Sequence, residues 1–246
     1  MTVGIGAGTD IDKVITSIRA VADRVDVSCY CREAPDNADD IVFVTADRPE
    51  ELLVHDLMHD RIAAAVRGTL PAHRTLTALK DACGVQSLER IALLETPLGT
   101  RFFLAPVGVD EGWTIAQKLA LMHKGRLIAR KFGISDRVAV LSGGRLGDVG
   151  RHVRIDQSLA EAELLARIGG AEHREILIED AVKTCGVIIA PDGITGNLIF
   201  RTLTMVGEGK GHGAPVVNIG KIFVDTSRAS GDYTNALLLA ASLAKI

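Results

Sequence analysis

Gly186-Val-Ile-Ile-Ala-Pro-Asp-Gly-Ile-Thr-Gly-Asn-Leu-Ile-Phe-Arg201 decides the fold. Its first part is a short apolar run rich in β-branched residues, the pattern of a strand buried on both faces. Pro191-Asp192-Gly193 stops the run in a tight turn, and Thr195-Gly196-Asn197 opens a helical pattern with Thr195 or Asn197 as the cap. A strand, a glycine-bearing turn and a helix N-terminus in that order aim free N–H groups, and the positive end of a helix dipole, beyond the carboxyl edge of a sheet. Anions bind in such places.

Working outward, the same arrangement recurs. Val138 to Leu141 reads as a buried strand that empties into Ser142-Gly143-Gly144-Arg145-Leu146-Gly147-Asp148. Glycines let that backbone close on a ligand, Ser142 carries a hydroxyl, and Arg145 carries a planar fork suited to phosphate or carboxylate. The helix that follows, Asp156 to Ile168, takes Asp156 or Ser158 as its cap. Downstream, Gly207 to Gly213 alternates glycine with charge and reads as a mobile loop carrying Lys210 and His212. Val216 to Val224 is strand-like, Thr226-Ser227-Arg228 breaks it, and Tyr233 to Ala244 is an apolar helix made for burial.

Upstream, Val3 to Ala7 is a strand and Ile11 to Asp23 a helix with Ile11, Val14, Ile15 and Ile18 on one face. Gly4, Gly6 and Gly8 form G-x-G-x-G, which is not the G-x-G-x-x-G of a dinucleotide site, and no acidic ribose partner follows. Val25 to Cys31 and Asp40 to Ala46 are strands, Pro49 starts a helix, and the strand within Arg61 to Val66 ends in Arg67-Gly68-Thr69 before a helix from Arg74 to Cys83. Arg90 to Glu95 and Arg101 to Val107, joined by Thr96-Pro97-Leu98-Gly99, form a local antiparallel step, so the sheets are not purely parallel. Thr114 to Phe132 is a long helix with Ala116, Leu119, Ala120 and Leu127 on its apolar side, and its cations, Lys118, Lys124, Arg126, Arg130 and Lys131, read as a solvated face.

Composition limits the function. A formal net charge of −3 and few aromatics exclude a nucleic-acid footprint, and no apolar run is long enough to span a bilayer. The start of the chain lacks the basic and apolar segments of a signal peptide, so a cytoplasmic location is expected. Cys29, Cys31, Cys83 and Cys185 read as reduced thiols, and no metal site is expected.

Several motifs, in order, carry a family resemblance. Ile128-Ala-Arg-Lys-Phe-Gly-Ile-Ser-Asp-Arg-Val-Ala-Val-Leu-Ser142 resembles the phosphate acetyl- and butyryltransferases. Asp192-Gly-Ile-Thr-Gly-Asn197 is similar to the Asp-x-x-x-Gly-Asn of the same superfamily, and especially to its acyl-phosphate-forming acyltransferase of phospholipid synthesis. Thr226-Ser227-Arg228-Ala229 with Asp232 and Asn235 resembles the C-terminal Ser-Arg motif, and Arg67-Gly68-Thr69 stands where those enzymes have Ser-Gly-Ala. The whole chain resembles a shorter branch, the MtxX-type methanogenesis marker proteins associated with a methyltransferase.

The resemblance implies an α/β fold of two lobes, each a mostly parallel sheet with flanking helices, of the phosphotransacetylase and isocitrate/isopropylmalate dehydrogenase kind. Residues 1–88 with 216–246 would form one lobe and 89–215 the other, with a cleft between them. It implies Arg228 as the cation for phosphate and developing charge, Ser227 as hydrogen-bond donor and Asp232 as base for a thiol. Arg67, Thr69, Ser142, Gly143, Arg145, Asp192, Thr195, Gly196 and Asn197 would line the anion site. Coenzyme A or a related thiol is implied as a substrate, with no tightly bound cofactor. A small anionic substrate, methyltransferase subunits and a second copy of the chain are the implied partners.

Some residues depart from the pattern. Asp232 lies nearer Arg228 than the acid of the acetyltransferases does, Arg145 and Asp148 replace small hydroxylic residues, and Pro71-Ala72-His73-Arg74 replaces a Thr-Thr pair. His73 is open to two readings, a capping or surface residue and a ligand contact. Three functions therefore compete: an acyltransferase, a reduced relative that binds an anionic metabolite or coenzyme for a methyl-transfer system, and a methyltransferase. The last lacks any loop for S-adenosylmethionine or a corrinoid, since His55, His59 and His152 have no Asp-x-His-x-x-Gly context.

Overall fold

Alternating strands and helices run through residues 1–36 and 38–245, the part of the chain described by the computed structural model. They sort into two units, Met1–Leu88 with His212–Ile246, and Glu89–Gly211. The first unit opens with β1 (Thr2–Gly6), α1 (Ile11–Arg19), β2 (Asp26–Cys31), β3 (Val42–Thr45), α2 (Pro49–Met58), β4 (Ala64–Val66) and α3 (Ala72–Cys83). The second unit comprises β5 (Ala92–Glu95), β6 (Arg101–Ala105), α4 (Ile115–Lys131), β7 (Val138–Val140), α5 (Val153–Gly169), β8 (Glu172–His173), α6 (Ile178–Thr184), β9 (Val187–Ile189), α7 (Gly193–Arg201) and β10 (Lys210–Gly211). The chain then returns to the first unit with β11 (Ala214–Pro215), β12 (Phe223–Asp225) and α8 (Thr234–Ala244).

The first unit is a six-stranded sheet in the order β11-β12-β4-β1-β2-β3, with only β11 antiparallel to its neighbour. Its central strands are apolar on both faces because helices cover both: Val3, Ile5, Ala64, Ala65 and Val66 have no exposed surface. Helices α2 and α3 pack together as one layer, while α8 lies on β1, β4 and β12 and meets α1. Tyr30, Leu53, Leu57, Leu70, Leu79 and Phe223 fill the core beneath α2 and α3. Strand order reverses direction at β1, since β2 and β3 are added on one side and β4 and β12 on the other. The carboxyl edge at such a reversal is the usual ligand position in open α/β sheets.

The second unit has six strands in the order β10-β5-β6-β9-β7-β8. β5 and β6 form the antiparallel step expected from Thr96-Pro-Leu-Gly99, with Leu93 opposite Phe103, and β6, β9, β7 and β8 run parallel. Helix α4 covers β6 and β9 and packs on α5, and Phe102, Phe103, Leu104, Val187, Ile188 and Ile189 are all buried.

Four local expectations are corrected. Lys118 is buried and its ammonium donates to Glu161 at 3.0 Å, so it does not belong to a solvated face. Helix α4 turns Leu121, Met122, Ile128 and Ala129 inward instead of Ala116 and Leu127. The cap of α5 is His152, whose ring nitrogen accepts from Arg154 N at 3.2 Å; Asp156 and Ser158 accept instead from Gly150 N and Gly143 N. The segment read as a mobile loop contains β10, which pairs with β5, and Lys210 bonds Glu95 at 3.4 Å.

One buried polar cluster ties α2 to the sheet. Asp56, 7 % exposed, accepts from Tyr30 Oη at 2.9 Å and Arg61 Nη1 at 3.0 Å, and lies 3.2 Å from His55 Nδ1. Burial by itself would raise the carboxyl pKa, but the bonds from His55, Tyr30 and Arg61 outweigh it and hold the pKa below the ordinary carboxylate value. Since the folded value is depressed, the stabilisation is complete above the unfolded pKa of about 4 and fades as pH falls through the folded value. Asp56→Asn should cost about 1–3 kcal/mol near neutral pH. It should also show less acid destabilisation than wild type, as read from melting temperatures on a descending pH series.

Candidate functional site

At the carboxyl edge of the first unit, three loops are laced together. Gly68, at φ +60°, lets the β4 exit turn so tightly that a Cβ there would fall 2.0 Å from Gly6 O. Thr69 N donates to Gly6 O at 3.1 Å, and Thr69 Oγ1 accepts from Gly8 N at 2.8 Å, closing the β1 and β4 exits on each other. Arg67, 4 % exposed, donates through Nε to Asp225 and through Nη1 to Leu70 O at 2.9 Å. Thr226 Oγ1 donates to Gly68 O at 3.1 Å. Arg67 and Thr69 thus hold the loops in place, with their polar atoms directed at protein partners.

Ser227, Arg228 and Asp232 lie on the loop between β12 and α8. Ser227 Oγ accepts from Ala229 N at 3.2 Å, and Asp232 Oδ1 accepts from Thr234 N at 2.8 Å, shaping the start of α8. Arg228 is exposed, and its carbonyl accepts from Lys13 Nζ at 3.3 Å. Behind them stands Tyr233, 1 % exposed, whose hydroxyl donates to Ser227 O at 3.3 Å and whose amide donates to Ser17 Oγ at 2.9 Å. Burial raises the Tyr233 phenol pKa; Arg67 and Arg228 oppose the rise, and Asp10 and Asp232 add to it. Tyr233, Lys13 and Asp10 were not among the residues expected from sequence. The available hint was that the chain has only 2 tyrosines, one of them in a run of small polar residues.

On the same unit, a cavity of about 380 Å³ opens between the first turn of α2 and one face of α3. Arg48, His73 and Arg74 line it together with Glu50, Glu51 and Asp81, so its charges largely cancel. His73 is exposed there.

The second unit gathers its own candidates at the carboxyl ends of β7 and β9. Asp192, not Thr195 or Asn197, caps α7: its Oδ1 accepts from Thr195 N at 2.7 Å. Gly193 N donates to Glu111 O at 3.0 Å, so two of the amides that would greet an anion are already engaged. Asn197 Nδ2 donates to Val107 O at 2.9 Å. A Cβ on Gly193 would stand 1.6 Å from Gly108 O, and one on Gly196 would stand 1.9 Å from Pro106 O. The Gly-x-x-Gly-Asn spacing therefore seats α7 directly on the 106–112 loop. That loop is in turn braced by buried Glu111, which accepts from Arg90 Nε at 2.6 Å and Gly108 N at 3.2 Å.

The Ser142 loop is likewise filled from within. Gly143 N donates to Ser158 Oγ at 2.8 Å, Arg145 N to Asp148 Oδ2 at 2.9 Å, and Leu146 N to Glu175 Oε1 at 2.9 Å. Ser142, 2 % exposed, donates to Gly144 O at 2.9 Å and lies 3.0 Å from His173 Nε2. The Arg145 side chain is exposed, as is that of Leu146 beside it.

A relative from Methanosarcina barkeri, provisionally named methyltransferase mtx subunit X, is 48% identical over 212 residues, covering 84% of this chain and 78% of its own. A Methanopyrus kandleri protein named an uncharacterized methyltransferase is 39% identical over 258 residues, covering 99% of both chains. The chain belongs to the methyltransferase mtx subunit X family. No protein-family model matches it. Among solved structures, a branched-chain phosphotransacylase from Enterococcus faecalis superposes with a TM-score of 0.77 at 15% identity, covering 99% of each chain. At that identity the likeness establishes the fold: this member of the mtx subunit X family has the phosphotransacetylase architecture.

The packing role of Gly196 is directly testable. Gly196→Ala should lower stability by about 1–3 kcal/mol through the clash with Pro106 O. Gly147→Ala, whose Cβ would meet nothing within 4 Å, should leave the thermal melt unchanged.

Proposed function

We propose that the carboxyl edge of the first unit binds a phosphate or acyl phosphate and supports acyl transfer to a thiol of the coenzyme A type. The observation that carries this reading is Arg228, an exposed guanidinium on the loop shared with Ser227 and Asp232, at the edge where the strand order reverses. The phosphotransacylase fold supports it. Arg228 would neutralise the phosphate and the tetrahedral oxyanion, and Ser227 Oγ would donate a hydrogen bond to it. Asp232 would take the thiol proton. The thiolate would form the C–S bond at the carbonyl carbon while the C–O bond to phosphorus breaks and phosphate departs with the electron pair. In the second unit, Arg145 is the residue best placed to meet an anion, since the amides around Ser142 and Asp192 are engaged with protein groups.

The names of the 48%-identical relatives favour a second reading, a methyltransferase-associated subunit that binds an anionic metabolite or coenzyme at the same edge without acyl transfer. Incubating the protein with acetyl-CoA and phosphate and following thiol release separates the two. The acyltransferase reading expects turnover that falls by about 10²–10³-fold in Arg228→Ala. No turnover above that variant would remove it for this substrate pair. Retention of coenzyme A by calorimetry without turnover would favour the second reading.

A further inference from the structure

At the end of α2, His55 and His59 stand one helical turn apart with their rings stacked, centroids 4.1 Å apart and planes 28° from parallel. Their Nδ1 atoms are both engaged. His59 Nδ1 lies 2.8 Å from His55 O, and a carbonyl oxygen can only accept, so this nitrogen carries a proton. His55 Nδ1 lies 3.2 Å from Asp56 Oδ1, a carboxylate kept ionised by its other partners, so it too donates. In the neutral form of each ring the lone pair therefore sits on Nε2, and both side chains are exposed.

We infer that His55 and His59 form a surface site for one divalent late transition metal ion, held by the two Nε2 atoms with water in the remaining positions. Two histidines at i and i+4 on a helix lie near enough for one ion to bridge their Nε2 atoms once the rings turn out of the stack, since in near-parallel rings the in-plane lone pairs run side by side. Metal-binding imidazoles characteristically donate their other N–H to a carboxylate or a backbone carbonyl, and these two supply one example of each. The position favours a cation further, because the last turn of a helix carries the negative end of its dipole. The nearby carboxylates are already matched, Asp56 with Arg61 at 3.0 Å and Asp60 with Lys221 at 2.6 Å. No cluster of three or more His, Cys, Asp or Glu suited to a metal is present among the described residues, so the two imidazoles would be the protein's whole contribution. Imidazole with open water positions suits nickel, copper and zinc, and does not suit magnesium or calcium.

Nickel(II) is the probe of choice, since Cys29, Cys31, Cys83 and Cys185 are free thiols that compete more strongly for copper and zinc. Calorimetric titration of the full chain should give one nickel ion bound. Binding should weaken by about tenfold or more in His59→Gln and equally in His55→Gln. Both substitutions are at exposed positions, and circular dichroism spectra matching wild type would confirm that the helix persists. As a second readout, nickel should broaden the imidazole resonances of His55 and His59 before those of the chain's other five histidines, seven being present in all. Equal nickel affinity in wild type and both variants, or broadening that begins at other histidines, would overturn the assignment.

Discussion

The buried pair of Arg67 and Asp225 is the contact on which the first unit depends. It joins the residue that follows β4 to the end of β12, residues 158 apart in sequence, and neither side chain is more than 12 % exposed. Removing one partner of such a pair leaves a charge stranded in low dielectric, a loss of about 3–5 kcal/mol. Both groups have further bonds to hold them: Arg67 donates to Leu70 O, and Asp225 accepts from Thr226 N at 2.8 Å. The pair thus fixes where the Ser227–Arg228 loop leaves the sheet, and with it the position of any anion that Arg228 meets.

A shared theme at both carboxyl edges is that glycine and polar motif residues serve the backbone first. Gly68 and Thr69 clamp the β1 and β4 exits, Asp192 caps its own helix, and Asn197 holds Val107 O. Asp148, Glu175 and Ser158 occupy amides of the Ser142 loop that a ligand would otherwise meet. A motif that looks made for phosphate can equally be a closed arrangement of internal acceptors, because a carboxylate side chain satisfies an amide as well as a phosphate does. What remains turned outward, Arg228 and Arg145, is therefore more informative than the motifs that surround it.

The fold class was legible because its signals are local. Short β-branched runs such as Val187–Ile189 are buried strands, and Pro49 begins α2 as its fixed φ dictates. Errors came where a distant partner decides. Lys118 reads as a surface residue until Glu161, on another helix, is seen beside it, and apolar and charged residues are so mixed around α4 that periodicity cannot select the inward face. The glycines from 207 to 213 suggested mobility, yet Leu94 and Glu95 supply ladder partners for β10. The role of Tyr233 is hidden in the sequence because its partners are Ser17 and Ser227, one of them at the far end of the chain. Among the expected site residues, the order of the motifs carried the resemblance, whereas the engagement of each side chain needed coordinates.

The first unit is assembled from two separated stretches of chain, and this gives its synthesis an awkward interval. Once Leu88 has emerged, β4 still lacks its neighbour β12, and the apolar face that α8 will cover is bare. Glu89–Gly211, by contrast, is continuous and can close its own sheet while still attached to the ribosome. The segment made first is thus the one completed last, and for that time its β4 edge is an open template for strand pairing with other chains.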